Sequence, residues 1–183
     1  MSAWAIVVIV VAAVVVVVLA VVGVVMRRRR ALRARFGDEY QRMLAEAGNR
    51  RVADSTARDR VTEREALDIH PLSADSRDGY AREWQQVQAR FVDSPPAAVG
   101  EADSLVTRMM HERGYPIDRF EHQAALISVD HPMVVEHYRD GHRVYLESVN
   151  GAASTEDMRQ GFVAYRTLFG ELLNDQADAD ASR

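Results

Sequence analysis

An uninterrupted apolar segment near the start of the chain constrains this protein more than any other feature of its sequence. The segment extends from Ala3 to Met26, is dominated by valine, and ends at a run of arginines. An α-helix rises ~1.5 Å per residue, so roughly 20 apolar residues cross a hydrocarbon layer of ~30 Å. A lone segment in lipid must satisfy its own backbone hydrogen bonds, which favours a helix despite the valines. Residues 1–26 are therefore predicted to form a single N-terminal transmembrane helix.

The flanks of this segment predict its orientation. A cleaved secretory signal would begin with basic residues and end at a small-residue cleavage site, and neither is present, so an anchor is favoured. Arginines crowd the C-terminal flank alone, which predicts an inner (plasma) membrane protein with its N-terminus outside and its C-terminal domain in the cytoplasm. The residues expected at the two interfaces, in contact with membrane lipid, are Trp4 on the outer side and Arg27, Arg28, Arg29, Arg30, Arg33 and Arg35 on the inner side.

Composition limits the rest of the chain, beyond the apolar segment. The 183 residues leave room for one modest domain after the anchor and its flank. The chain has no cysteine, which excludes disulfides and thiolate metal sites. Its formal net charge is −4, with the acidic excess downstream of the arginines. Nucleic acid is therefore not predicted as a partner, because such binding needs a basic face on the folded domain.

Residues 27–72 are predicted to form a basic collar followed by a charged helical stalk. Apolar residues recur at helical spacing from Phe36 to Ala47, and Gly48-Asn49 then offers a break. The stretch from Arg50 to Asp68 is dense in alternating charge, which is more typical of a solvated helix than of a binding surface. His70-Pro71 ends it, because a residue before proline is disfavoured in an α-helix.

Residues 73–174 are predicted to form a cytoplasmic bundle of about four or five amphipathic helices. Apolar stripes at helical spacing alternate with breaks at Ser94-Pro95-Pro96, Gly114-Tyr115-Pro116, Asp130-His131-Pro132 and Asn150-Gly151. Ser154 and Asp157 resemble a capping box. The polar tail, residues 175–183, is predicted to be disordered. The predicted fold class is all-α: one transmembrane helix, a juxtamembrane helical stalk and a small helical bundle.

Several short strings carry a resemblance to known sequences. They include Arg35-Phe36-Gly37, Arg113-Gly114-Tyr115-Pro116, Ser128-Val129-Asp130-His131-Pro132 and Ser154-Thr155-Glu156-Asp157. The chain from Arg35 to Leu173 resembles an uncharacterised family of short, single-pass membrane proteins of high-GC bacteria, to which no activity is assigned. The resemblance implies kinship and supplies no catalytic residues. Gly141 and Gly161 stand where alanine is expected in that family.

No motif with a stated catalytic mechanism occurs in the chain. It lacks an HExxH sequence, a nucleophile elbow and a Gly-rich phosphate loop. His137 and His142 are five positions apart and diverge around a helix. No catalytic residue, metal site or cofactor is therefore predicted. The alternative is a small-ligand-binding or hydrolytic helical domain that uses Asp130, His131 and His137, although Asp130 and His131 also suit a helix terminus.

The function predicted from sequence is a membrane-tethered, cytoplasmic helical interaction module that binds an unknown protein or a second copy of itself. The candidate interaction residues are Arg90, Glu136, His137, Arg139, Asp140 and Arg143. Arginine is enriched at interface hot spots, but a charged cluster on one helix is also typical of a solvated ion-pair face. Trp84 is of a hot-spot type too, and its place on an apolar stripe favours the core. A third hypothesis is that the basic collar senses lipid.

Overall fold

The computed structural model describes the backbone of residues 3–174, and the side chains at positions 3, 5–14, 21, 28 and 29 are outside the described set. Over this range the chain is all-helical, with no strand, so the all-α part of the predicted fold class is confirmed. The helices are α1 (Ala3–Phe36), α2 (Asp38–Ala47), α3 (Arg50–Glu65), α4 (Ala74–Asp93), α5 (Pro95–Glu112), α6 (Phe120–Asp130), α7 (Val135–Val149) and α8 (Thr155–Asn174). The tail predicted to be disordered, residues 175–183, lies outside the described residues.

The predicted transmembrane helix is contradicted: among the described residues, no helix is both long enough and apolar enough to cross a membrane. The α1 helix has 34 residues, but the side chains at 5–14 lie outside the described set. The predicted inner-membrane, single-pass localisation depended on that helix and is corrected with it.

The chain divides into two compact units, of which the first ends at Arg58 and the second begins at Asp59. In the first unit, α1 ends at a turn where Gly37 has a φ of 50°. The α2 helix ends at Gly48, which has a φ of 60° and donates its N–H to the carbonyl oxygen of Leu44 at 3.0 Å. Glycine adopts positive φ without steric strain, so these two turns explain why α1, α2 and α3 are separate helices.

The predicted apolar stripe of the first unit is buried. Phe36, Tyr40 and Met43 are at most 2% exposed. The hydroxyl of Tyr40 donates a 2.6 Å hydrogen bond to Oδ1 of Asp54, which joins α2 to α3. Asp54 is itself buried. The stretch from Arg50 to Asp68, which the sequence predicts to be a solvated helix, therefore has a buried face in its first half.

In the second unit, α5 packs against α4, α7 and α8, and α7 forms its most extensive contact with α8. The core side chains of α5 are fully buried, as its stripe predicts; they are Leu105, Val106, Met109 and Met110. Trp84 of α4 stacks on Phe162 and Phe169 of α8, with ring centroids 5.1 and 4.7 Å apart. Trp84 is therefore a core residue and not an exposed hot spot. The helical bundle is confirmed, with α4 to α8 as its five helices.

The helix ends follow local signals in most places. The predicted capping box of α8 is formed, since Ser154 N–H donates to Asp157 Oδ2 at 2.9 Å and Asp157 N–H donates to Ser154 Oγ at 3.1 Å. The N-cap of α6 is Arg119, directly after Asp118, and it has no side-chain capping hydrogen bond. Asp130 ends α6 and does not begin α7, which starts at Val135. Asp118 instead lies 2.7 Å from Nδ1 of His122, four residues later, and Asp130 accepts hydrogen bonds from Arg64 and Tyr115.

Two glycines set the separation of α7 and α8. A β-carbon added at Gly161 would lie 2.6 Å from Cβ of Val144, and one added at Gly141 would lie 2.9 Å from Cζ of Tyr165. Real β-carbons do not approach other atoms so closely. Glycine lowers helix propensity, but at Gly141 and Gly161 it permits α7 and α8 to pack closely.

Candidate functional site

Three of the predicted interaction residues of α7 line one groove. The groove lies between α7 and α8 and has a volume of about 260 Å³; its lining residues are His137, Asp140, Arg143, Val144, Arg159, Gln160, Gly161, Val163 and Ala164. Glu136 and Arg139 are not among them and form an ion pair with each other at 2.7 Å. The structure therefore brings His137, Asp140 and Arg143 together with residues of α8 that the sequence did not indicate.

The rim of this groove consists of guanidinium–carboxylate pairs. Arg143 Nη1 is 3.0 Å from Glu147 Oε1, and Arg143 Nη2 is 3.7 Å from Asp140 Oδ1. The hydrogen bonds to Glu147, which outweigh partial burial, raise the pKa of Arg143. Across the groove, Arg159 donates to both oxygens of Glu156 at 2.8 and 2.7 Å, and Gln160 donates to the same carboxylate at 3.0 Å. The hydrogen bond from Arg159 first, and then that from Gln160, lower the pKa of Glu156 to about 2.

The floor of the groove is made of small and branched apolar residues. Gly161, Ala164 and Val144 are buried there. Their small size leaves a depression above the contact between α7 and α8, while Arg143 and Arg159 remain 58% and 56% exposed at the rim. Small-molecule sites are commonly cavities of about 300–1,000 Å³ that enclose most of the ligand. The groove, at about 260 Å³, lies just below that range.

Arg90 lies elsewhere, on α4. It pairs with Glu101 of α5, and Arg108 of α5 pairs with Glu83 of α4. The two pairs bridge α4 and α5 over a cleft of about 330 Å³, which Gln86, Val87 and Ser104 complete. The structure thus assigns Arg90 to a bridge between helices and separates it from the other candidate interaction residues.

The residues of the predicted ligand site are found in two places. Asp130 accepts hydrogen bonds from Arg64 Nε at 2.6 Å and from the hydroxyl of Tyr115 at 2.7 Å. Burial first, and then the charge of Asp130, raise the pKa of Tyr115. His131 is 3% exposed, with Nδ1 3.6 Å from Oε1 of Glu171, whereas His137 lines the groove. In the part of the chain that the structure describes, no group of three or more histidine and carboxylate side chains is placed to hold a metal ion.

A polar junction that the sequence did not predict connects α5, α7 and α8. Oδ1 of Asp103 accepts a 2.6 Å hydrogen bond from the hydroxyl of Tyr165 and lies 3.0 Å from Nδ1 of His142. The ring of Phe120 stacks on the imidazole of His142, with centroids 3.8 Å apart. Burial first, and then the charge of Asp103, raise the pKa of Tyr165. The sequence indication of this junction is that Asp103 directly follows Ala102, which belongs to the apolar stripe of α5.

The residues predicted to lie at a membrane interface belong to α1. Trp4 is 70% exposed, and Arg27, Arg30 and Arg35 are exposed. Arg33 is half-buried, with its guanidinium 5.3 Å from the ring centroid of Tyr40. The side chains of Arg28 and Arg29 lie outside the described residues. Their contact with lipid stays a prediction.

Comparison with known proteins gives no match: no family model, no curated protein and no solved structure matches this chain. The resemblance to a family of bacterial membrane proteins therefore stays a prediction.

Proposed function

We propose that the helical bundle is a protein-interaction module that docks through the groove between α7 and α8, and that its partner is the same face of a second copy of the chain. The observation that carries this proposal is the rim of the groove, where Arg143 and Arg159 each pair with a carboxylate beside a floor of small residues. Complementary charged groups across an interface steer association and fix which surfaces meet.

The charge pattern favours a second copy. A two-fold symmetric interface places one surface patch against itself, so the patch must be complementary to its own charges. Asp140, Glu147 and Glu156 supply negative charge beside the positive charge of Arg143 and Arg159. Each guanidinium can therefore meet a carboxylate of the other copy. A groove of a single sign would repel its own copy and would favour an oppositely charged partner instead.

The size and exposure of the groove support the same conclusion. Its volume of about 260 Å³ accommodates a few side chains, and the rim arginines are more than half exposed. Exposed ion pairs contribute only about 0–1 kcal/mol each, so they can be replaced at an interface without a large loss of stability. The bundle therefore does not depend on them for its own fold.

Photo-cross-linking of the purified full-length chain tests this proposal. A photoreactive amino acid replaces Gln160 in the groove, and in the control chain it replaces Gln88, an exposed residue of α4. The Gln160 chain should yield a covalent dimer whose cross-links map to α7 and α8 of the second copy. Equal yields from both positions, or no dimer from Gln160, would show that the groove does not bind a second copy.

Charge reversal adds a control that is specific for the rim. Arg143→Glu together with Arg159→Glu should abolish the dimer formed through Gln160, because each change places like charges opposite one another. Arg82→Glu alters an exposed arginine of α4 and should leave it unchanged. Added salt should reduce the cross-linked yield, because exposed charges are screened within ~10 Å at 0.1 M. A dimer that survives the double reversal would overturn the proposed role of the rim.

A further inference from the structure

His122 of α6 lies between two carboxylates that come from different parts of the second unit. Its Nδ1 is 2.7 Å from Oδ2 of Asp118, which precedes α6, and its Nε2 is 2.7 Å from Oε1 of Glu63, near the end of α3. The His122 side chain is 24% exposed, while the two carboxylate side chains are about half exposed. One imidazole therefore joins the last turns of α3 to the first turn of α6.

The number of protons that this arrangement requires follows from its geometry. An ionised carboxylate only accepts hydrogen bonds, and a neutral imidazole carries one N–H. For both 2.7 Å contacts to be hydrogen bonds to ionised carboxylates, the imidazole must carry both ring protons. Loss of one proton leaves a ring nitrogen and a carboxylate oxygen as two acceptors 2.7 Å apart, which repel each other.

Residues 59–69 have other contacts within the second unit that involve no histidine. Arg64 Nε donates to Asp130 Oδ2 at 2.6 Å, and Arg60 Nη1 donates to Ser128 Oγ at 3.2 Å. Beyond α3, the backbone passes close to Gly114, where an added β-carbon would lie 2.3 Å from the carbonyl oxygen of Asp68. Gly114 has a φ of 99°, so glycine is required there on both counts. The proton-dependent contact is thus one of several along residues 59–69.

We propose that His122 is a proton-controlled clasp that holds residues 59–69 against the bundle while its imidazole is charged and loosens them when it loses a proton. The groups that act on its charge are Glu63 from α3 and Asp118 from the loop before α6. The arginines of the same α3 segment, Arg60 and Arg64, are bound to Ser128 and Asp130. No other element is needed for the clasp to respond to pH.

The direction of the pH dependence follows from linkage. Partial burial opposes the charge of His122, but the hydrogen bonds to Asp118 and Glu63 outweigh it and raise the pKa of His122 above its usual 6.5. A histidine with a raised folded pKa contributes stability that is fully present below its unfolded pKa and is lost as the pH rises through the folded pKa. The segment is therefore held in mildly acidic solution and loosened in mildly alkaline solution.

Amide hydrogen exchange of the full-length chain tests the clasp directly. Protection of residues 59–69, corrected for the intrinsic pH dependence of exchange, is compared at about pH 6 and about pH 9, on either side of a raised histidine pKa. We expect protection to fall by about two- to fivefold at the higher pH, the range of an exposed ion pair. In His122→Phe the protection should be equally low at both values.

Two further variants distinguish the clasp from a general effect of pH. Glu63→Gln removes one charged acceptor on the surface, so it should lower the NMR-measured pKa of His122 and reduce protection at about pH 6. His111→Phe changes an exposed histidine of α5 and should leave the pH dependence intact. Protection that does not change with pH in the unaltered chain, or a His122 pKa that is the same in Glu63→Gln, would overturn the proposal. The Glu63→Gln result remains decisive if His122→Phe does not fold.

Discussion

The ring of Tyr165 lies across Gly141, so close that a β-carbon at that position would stand 2.9 Å from its Cζ. The hydroxyl of the same ring donates to Asp103 of α5 at 2.6 Å, so the ring cannot move aside without breaking a part-buried hydrogen bond. One tyrosine thus fixes the positions of three helices. The close approach of α7 and α8 beside the groove is a consequence of this arrangement.

Alanine at the two contact glycines should destabilise the protein. Gly161→Ala places a methyl group against Val144, whose branched side chain has little freedom to move, and Gly141→Ala places one against Tyr165. Overpacking costs about 1–3 kcal/mol, which outweighs the gain in helix propensity of up to about 1 kcal/mol. Denaturant unfolding followed by circular dichroism measures the difference.

The matched control is a glycine of the same helix that has open space around it. A β-carbon at Gly170 of α8 meets no atom within 4 Å. Gly170→Ala should therefore raise the free energy of unfolding by about 0.4–1 kcal/mol. If Gly161→Ala stabilised the protein as much as Gly170→Ala, the close packing of α7 and α8 would be refuted.

The junction at Asp103 should behave as one cooperative unit. Asp103→Ala leaves the hydroxyl of Tyr165 and the imidazole of His142 without their common acceptor, and a buried polar group that loses its partner costs about 1–3 kcal/mol. Tyr165→Phe alone should cost about 1 kcal/mol. In the double variant the two losses should be strongly non-additive, because both remove the same hydrogen bond. Strictly additive losses in this double-mutant cycle would contradict the contact.

Alkaline titration should reveal tyrosines that retain their protons in the folded chain. Burial first, and then a hydrogen bond to Glu112, raise the pKa of Tyr80 to about 12. Burial likewise raises the pKa of Tyr115, Tyr138 and Tyr165 above the usual 10.0. The unfolded chain releases these protons first, so stability should fall as the pH rises above about 10. Tyrosinate absorbance measures how many tyrosines have ionised at each pH. Ionisation of all six tyrosines near pH 10 in a chain that remains folded would contradict the prediction.

Replacing Asp130 by a neutral residue tests how much its hydrogen bonds to two donors stabilise the fold. Asp130→Asn replaces the acceptor of Arg64 and of the hydroxyl of Tyr115 by a neutral amide. Hydrogen bonds to charged groups contribute about 1.5–3 kcal/mol, so a loss of about 1–3 kcal/mol is expected. Thermal unfolding measures it, with Asp140→Asn on the exposed rim as the control that should change stability little. Similar effects of the two changes would indicate that Asp130 does not anchor α3 to α6.

Much of the local structure follows from short-range signals. Pro95 begins α5, Gly48 ends α2, and Ser154 with Asp157 begins α8, each for a reason that involves only a few neighbouring residues. Apolar stripes likewise predicted most of the buried faces, from Tyr40 in α2 to Tyr165 in α8, but Leu146 and Val149 of the α7 stripe are exposed. Such signals act within one or two helical turns, so they can be read from the chain without knowledge of the fold.

The candidate site was predictable only in part. The sequence predicted one charged cluster of Glu136, His137, Arg139, Asp140 and Arg143 on a helix, and three of its members line the groove. Their neighbours Arg159 and Gln160 come from α8, and no pattern in the sequence predicts which face of α8 meets α7. The apolar segment at the start of the chain predicted a transmembrane helix, but the described residues contain no helix able to cross a membrane.

The amino-acid order alone sets where most helices begin and end and which of their faces are apolar, because hydrogen-bonding caps, proline, glycine and helical periodicity act locally. It took the packed fold to establish that Glu63 of α3 meets His122 of α6 and that Asp103 serves Tyr165 and His142 together. These partners are separated by up to 62 residues. Polar groups on packed helices bind whichever donors the packing brings to them, and that packing depends on the shape of every buried side chain at once.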